Sequence, residues 1–251
     1  MMKRTSRLPR RVLATASRAR TYGTAALALA LASVSGAVYA GADDVASLYG
    51  PQPPADATYV RVVNLSPRAA KLSLPGAAQP IDLAPGAATR LEVVRPGTAL
   101  RVKVDGGLAA GQTGLAPAAG ADTVGETVTV GLEHDAAGGW RAKPIAAAAA
   151  GADALRAQLR AFNFVDGCEA KIALEQNPAT AVFTAVAPGH VASRSINPVA
   201  ATLVAVCGNG LSQPFALPRL AAGQSFSLFL SGTTAHPVLS GAIDALDWPA
   251  R

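Results

Sequence analysis

The chain is poor in the groups that carry chemistry. Its 251 residues include two cysteines, three histidines and two tryptophans, and aromatic residues make up 5% of it. No G-x-S-x-G elbow, no Gly-Asp-Ser segment, no Walker loop, no G-x-G-x-x-G and no H-E-x-x-H occurs, so no motif marks a hydrolase, a nucleotide site, a zinc protease or any cofactor site. Basic residues beyond the first 40 positions are scattered, with no aromatic interleaving, which argues against nucleic acid as a partner. With few aromatics, the cores must be thin and filled by Val, Leu and Ala.

The formal net charge of +6 suggests an anionic partner, but its distribution removes that suggestion. Lys3, Arg4, Arg7, Arg10, Arg11, Arg18 and Arg20 fall in the first 40 residues, with no acid among them. Subtracting these 7 from 22 leaves 15 basic residues against 16 acidic ones, a net of −1. The basic segment leads into an apolar run near Ala25–Val34 and a Val38-Tyr39-Ala40 site, the pattern of a secretory signal cleaved after Ala40. That run is short of the roughly 20 residues needed to span a bilayer. No later stretch is long and apolar enough for a membrane helix. Two alternatives stay open, an uncleaved anchor and a twin-arginine route through Arg10-Arg11. The expected location is the periplasm.

What the chain does have is a repeat. Thr58–Ser66 reads TYVRVVNLS, a strand by its β-branched content, and AQLRAFNFVD follows about a hundred residues later. Val60-Arg61-Val62-Val63-Asn64-Leu65 aligns with Leu159-Arg160-Ala161-Phe162-Asn163-Phe164. Ala84-Pro85-Gly86 then matches Ala187-Pro188-Gly189, and Thr127–Val130 matches the strand ending at Leu230. Order and spacing both hold, which implies an internal duplication. Alternating strands and Pro-Gly turns at about ten-residue spacing predict an all-β protein of two tandem antiparallel β-sandwich modules. The expected layout is a signal peptide over 1–40, an extended lead-in over 41–57, a sandwich over 58–132, an Ala/Gly/Pro linker over 133–155 and a second sandwich over 156–251 with an irregular tail. A short helix is expected from Pro144 within the linker. The Gly/Ala-rich stretch 106–122 is expected as a surface loop, with Gln112, Thr113 and Asp122 as its polar groups.

Cys168 and Cys207 both lie in the second module, and in an exported protein such a pair most often forms a disulfide. Closing a loop of roughly forty residues contributes about 4 kcal/mol in the chain-entropy model. The alternative, a catalytic cysteine, has no His/Asn setting. Glu133-His134-Asp135 is suggestive of a metal or acid–base site, but neighbouring residues on a strand point to opposite faces, so a solvated loop is the simpler reading. His190 and His236 stand alone. The repeated Arg61/Asn64 and Arg160/Asn163 pairs read either as sheet cover and turn initiation or as a polar patch for a protein or glycan partner.

Leu48-Tyr49-Gly50-Pro51 after the signal, Tyr59-Val60-Arg61 with Asn64, and the second Arg160-Ala161-Phe162-Asn163-Phe164 strand together resemble the AlgF family of periplasmic alginate O-acetylation proteins. The resemblance spans about Leu48–Ser231. The Ala-rich linker and the cysteine pair have no anchor in it. It implies a non-catalytic adaptor in exopolysaccharide O-acetylation, with periplasmic O-acetyltransferase proteins of the same pathway as partners and Leu48, Tyr49, Arg61, Asn64, Arg160 and Asn163 as candidate partner-binding residues. Two other classes remain open. A carbohydrate-binding sandwich that holds the polymer would use Tyr49, Tyr59, Trp140 or Trp248 as platforms. A cryptic acetyl carrier or transferase would use a Ser or His.

Overall fold

The structure, a computed structural model, describes residues 53–74, 79–95, 98, 101–111, 125–148 and 155–248. The expected signal segment, Leu48, Tyr49, Gln112, Thr113, Asp122 and the boundary expected near Ala150 lie outside the described residues. Among the described residues there are strands, bridges and turns but no helix. No helix there is long and apolar enough to cross a membrane.

The first half of the chain forms β1 (Thr58–Asn64), β2 (Ala70–Ser73), β3 (Ile81–Leu83), β4 (Leu91–Val94), β5 (Lys103–Val104), β6 (Gly107–Leu108), β7 (Thr127–His134) and β8 (Trp140–Ala147). The second half forms β9 (Ala157–Asn163), β10 (Ala170–Leu174), β11 (Asn177–Val186), β12 (Val191–Ile196), β13 (Ala201–Cys207), β14 (Gly210–Leu211), β15 (Phe215–Leu217), β16 (Ser225–Gly232), β17 (Pro237–Ile243) and β18 (Leu246–Asp247). Four sheets result. Two are inner sheets, ordered β18-β4-β1-β7-β8 and β12-β9-β16-β17. Two are outer sheets, ordered β3-β2-β5-β6 and β11-β10-β13-β14, with β15 also paired to β13.

The same pairings recur in both halves. β1 pairs antiparallel with β4 and parallel with β7, and β9 pairs antiparallel with β12 and parallel with β16. Most neighbours are antiparallel, as the alternation predicts. The central pair of each inner sheet is parallel instead, which requires a long crossover, and the outer sheet supplies it.

The parallel pairs explain why β1 and β9 do not alternate cleanly. A strand pair covered on both faces has no wet side. Both strands show the same burial, with every residue buried except the second. Val60, Val62, Val128, Val130 and Leu132 face Leu72, Leu83 and Val104 of the outer sheet in one core. Leu159, Phe226 and Leu228 face Ile172 and Leu203 in a second. The opposite faces of the two inner sheets meet in a third core, where Val63, Ile145 and Ala147 touch Phe162, Phe164 and Phe229. The two sandwiches therefore lie back to back.

Two expectations are corrected here. The stretch expected as linker supplies the end of β7 and all of β8, which pairs with β7 at eight positions from Thr127–Ala147 to His134–Trp140. No helix starts at Pro144; it sits opposite Val130 on an edge strand, where a missing N–H is tolerated. Alanine-rich composition was ambiguous, and burial of Ala142, Ile145 and Ala147 decided for strand. The tail is ordered too. β17 pairs with β16 at seven positions, and β18 crosses to the other half to pair with β4.

Cys168 and Cys207 form a disulfide with Cα atoms 5.5 Å apart, both buried. It ties the segment before β10 to the end of β13. Replacing both cysteines with alanine should lower the unfolding free energy by about 4 kcal/mol, read from urea denaturation under oxidising conditions.

The β18–β4 seam sets Asp247 opposite Glu92 in register. Burial first, and then the Asp247 charge, raise the Glu92 pKa above its ordinary value. A carboxyl whose folded pKa is raised favours the fold most below its unfolded pKa and loses that contribution as pH rises through the folded value. Glu92→Gln should therefore stabilise the protein relative to the parent more at pH 7 than at pH 3, as measured by thermal melts at both values.

Candidate functional site

The four polar residues repeated in β1 and β9 all lie inside the protein. Arg61, Asn64, Arg160 and Asn163 expose 1%, 0%, 7% and 1% of their surface. The reading of a surface patch for a partner is corrected accordingly: these side chains have internal partners and no face to offer.

The asparagines each brace a loop. Asn64 Nδ2 donates to the carbonyls of Arg68 (2.7 Å) and Leu83 (3.0 Å), and its Oδ1 accepts from the Ser66 N–H. Asn163 Nδ2 donates to the carbonyls of Cys168 (2.7 Å) and Val186 (2.8 Å), and its Oδ1 accepts from the Val165 N–H. Only a carboxamide offers two donors and an acceptor in that geometry. Both loops leave the C-terminal ends of the parallel pairs.

The arginines meet across the third core. Arg61 Nη1 donates to Asp244 Oδ1, whose side chain is 3% exposed, and Arg61 Nε donates to Thr129 Oγ1 at 3.1 Å. Arg160 Nη2 lies 3.5 Å from Asp244 Oδ2, and its Nη1 reaches Thr127 Oγ1 at 3.4 Å. Ser227 Oγ donates to Asp244 at 2.8 Å. The Arg61 guanidinium also lies 4.8 Å from the Phe229 ring centre and 5.3 Å from that of Phe162. Burial pulls the Arg61 pKa down, while Asp244 opposes this. Two cations thus share one carboxylate, and aromatic faces take up part of the remaining charge.

Sequence reading missed Asp244, Thr129 and Ser227. Asp244 lies in the segment expected as irregular tail. The hydroxyls did leave a trace, because Thr129 stands opposite Arg61 and Ser227 opposite Arg160 in the parallel registers. That trace becomes visible only once the parallel pairing is known.

Depressions among the described residues lie beside this junction. A groove of about 420 Å³ runs between the loop ends of both halves, lined by Ser66, Glu133, His134, Lys143, Phe164 and Asp166 among others. Lys143 bridges the halves, 3.1 Å from Glu133 and 2.8 Å from Asp166. Burial lowers its pKa, but the bonds to Asp166 and Glu133 outweigh that and leave it raised. Lys143 is therefore held as an ammonium without the lone pair that acyl transfer needs.

His134 joins this groove to a second pocket of about 320 Å³ around Trp140. The Glu133-His134-Asp135 trio diverges. Glu133 faces Lys143, His134 meets Arg68 and Trp140, and Asp135 accepts from the Gly139 N–H within its own turn. Among the described residues no group of three His, Cys, Asp or Glu side chains could hold a metal. The His190 ring meets the Pro188 carbonyl at 2.8 Å.

Removing Asp244 would strand two buried guanidiniums. Asp244→Ala should cost about 3–5 kcal/mol of stability, as for any buried pair losing one partner. Adding Arg61→Met to that variant should restore part of the loss, because an apolar side chain of similar length suits the Phe162/Phe229 setting. Chemical denaturation of the single and double variants measures both effects.

Comparison with known proteins gives no family model and no curated protein that matches this sequence. Among solved structures, the chain is similar to the C-terminal domain of AlgF from P. aeruginosa, with 22% identity over 36% of this chain and 98% of that one, at a TM-score of 0.32. It is also similar to a protein from Bacteroides uniformis ATCC 8492 assigned to cell adhesion, with 10% identity over 76% of this chain and 98% of that one, at a TM-score of 0.23.

Proposed function

We propose that this protein is a non-catalytic periplasmic adaptor in the O-acetylation of an exopolysaccharide, holding acetyl-transfer proteins of one pathway together. The reading begins from the sequence, in the Tyr59-Val60-Arg61…Asn64 and Arg160-Ala161-Phe162-Asn163-Phe164 strands that resemble the AlgF family. It takes the two halves to be copies of one duplicated unit.

The observation that carries the reading is where the repeated polar residues go. Arg61 and Arg160 share the Asp244 carboxylate between the sandwiches, and Asn64 and Asn163 brace loops. These residues serve shape. A rigid body with grooves on its surface suits a protein that positions others. The Cys168–Cys207 disulfide supports an oxidising compartment.

The test is co-elution. The purified protein should form a stable complex with the periplasmic acetyltransferase of its own pathway on a sizing column, and should release no p-nitrophenol from p-nitrophenyl acetate by itself. Steady turnover by the chain alone, abolished by changing one Ser or His, would replace the adaptor reading with a transferase.

A further inference from the structure

The pocket around Trp140 has a use that the adaptor reading does not require. Four side chains form a connected chain at the edge of the first sandwich. Trp140 Nε1 donates to Asp105 Oδ2 at 2.8 Å. The Trp140 ring meets the His134 ring edge-on at 5.1 Å. Arg68 Nη1 lies 3.2 Å from His134 Nε2; a guanidinium only donates, so the imidazole nitrogen accepts. The indole is half-buried, with part of it packed against the first core, so it is held rather than free to turn.

Asp105 is fixed for this task. It is the one non-glycine residue with positive φ among those described, at 51°, in the turn between β5 and β6. Its Oδ1 accepts from the Lys71 N–H at 3.0 Å, which leaves Oδ2 for the indole. Those two bonds hold its pKa below the ordinary carboxylate value. With both Asp105 oxygens engaged, Arg68 is the group with donors left over. Its backbone is anchored by Asn64, while its side chain is exposed.

Gly107, Gly138 and Gly139 contribute wall without side chains, and Val104 and Leu108 complete the lining with apolar groups. At the corresponding corner of the second half, the carbonyl braced by the asparagine belongs to Cys168, which is disulfide-bonded to Cys207. The first-half corner instead carries a pocket with Trp140 and Arg68 in its lining.

We propose that this pocket binds one pyranose unit of a saccharide chain. A locked indole offers a flat apolar face to the C–H side of a sugar ring, and a guanidinium donates to the hydroxyl or carboxylate oxygens at its edge. The 320 Å³ volume lies at the small end of ligand sites and suits a single ring. The larger groove shares His134 with this pocket and lies next to it along the surface.

The test is a fluorescence titration of the full protein carrying Trp248→Phe, so that Trp140 is its one indole. Two probes are used, a hexameric oligouronate and cellohexaose. Binding of either should shift the Trp140 emission saturably, and the pair reports whether Arg68 meets a carboxylate or a hydroxyl. Arg68→Ala changes an exposed side chain and should weaken binding about tenfold, the loss of one charge-assisted hydrogen bond. Gly107→Leu adds a side chain at the pocket wall and should weaken binding; a Cβ there has only the Val104 carbonyl nearby, at 3.8 Å, and a circular dichroism spectrum matching the parent's checks that the fold is kept. No shift with either probe overturns the proposal, as does binding that both variants leave unchanged. Co-elution with an acetyltransferase is scored separately, so failure here leaves the adaptor reading standing.

Discussion

Everything in the described structure is arranged around a charge that has nowhere else to go. Arg61 and Arg160 project from the central strands of two inner sheets into the space where those sheets meet, and Asp244 stands between them. Ions removed from water to this depth are tolerable only when paired and hydrogen-bonded. The requirement is specific in a way apolar contact is not. Val63 or Phe229 could slide by a few ångströms and still be buried; the guanidinium–carboxylate pair could not. Such a pair need not add much net stability, but it penalises every wrong alignment of the two sandwiches.

From that alignment the surface follows. Both parallel pairs end at the same side, and both asparagines brace the loops that leave there. Lys143 then links Glu133 and Asp166 across the opening. The resulting grooves are properties of the two sandwiches together, because residues of both halves line the larger one. On that surface Lys143 is held by two carboxylates, and His134 meets Arg68.

The halves are alike in pairing but not in finish. Their strands bury the same positions and their asparagines make the same bonds. They differ where individual side chains decide, with a buried disulfide at a corner of one and Asp105, Trp140 and Arg68 at the other. A similar backbone can hold both because these groups sit in turns and at the very ends of strands, where few sheet neighbours constrain the side chain. The C-terminal β18 adds a second asymmetry by joining the tail of one half to the sheet of the other.

Local pattern sufficed for the all-β class and the cysteine pairing. β-branched runs with period two and Pro-Gly turns need only neighbours in sequence to be read, and β1, β2, β3, β4 and β7 begin and end within a few residues of where that pattern puts them. Two cysteines leave one intramolecular pairing. The tertiary structure decided what depends on a second surface. β1 carries Arg61 among its valines, yet a second sandwich covers the face that holds it. Arg61 reads as solvent cover in isolation, and only a carboxylate 183 residues away turns it into a buried ion pair. The stretch 140–147 reads as linker with a short helix from Pro144, and the open edge of β7 made it a strand instead. Periodicity along a chain reports which side of an element is apolar, but it carries no information about what will come to cover the other side.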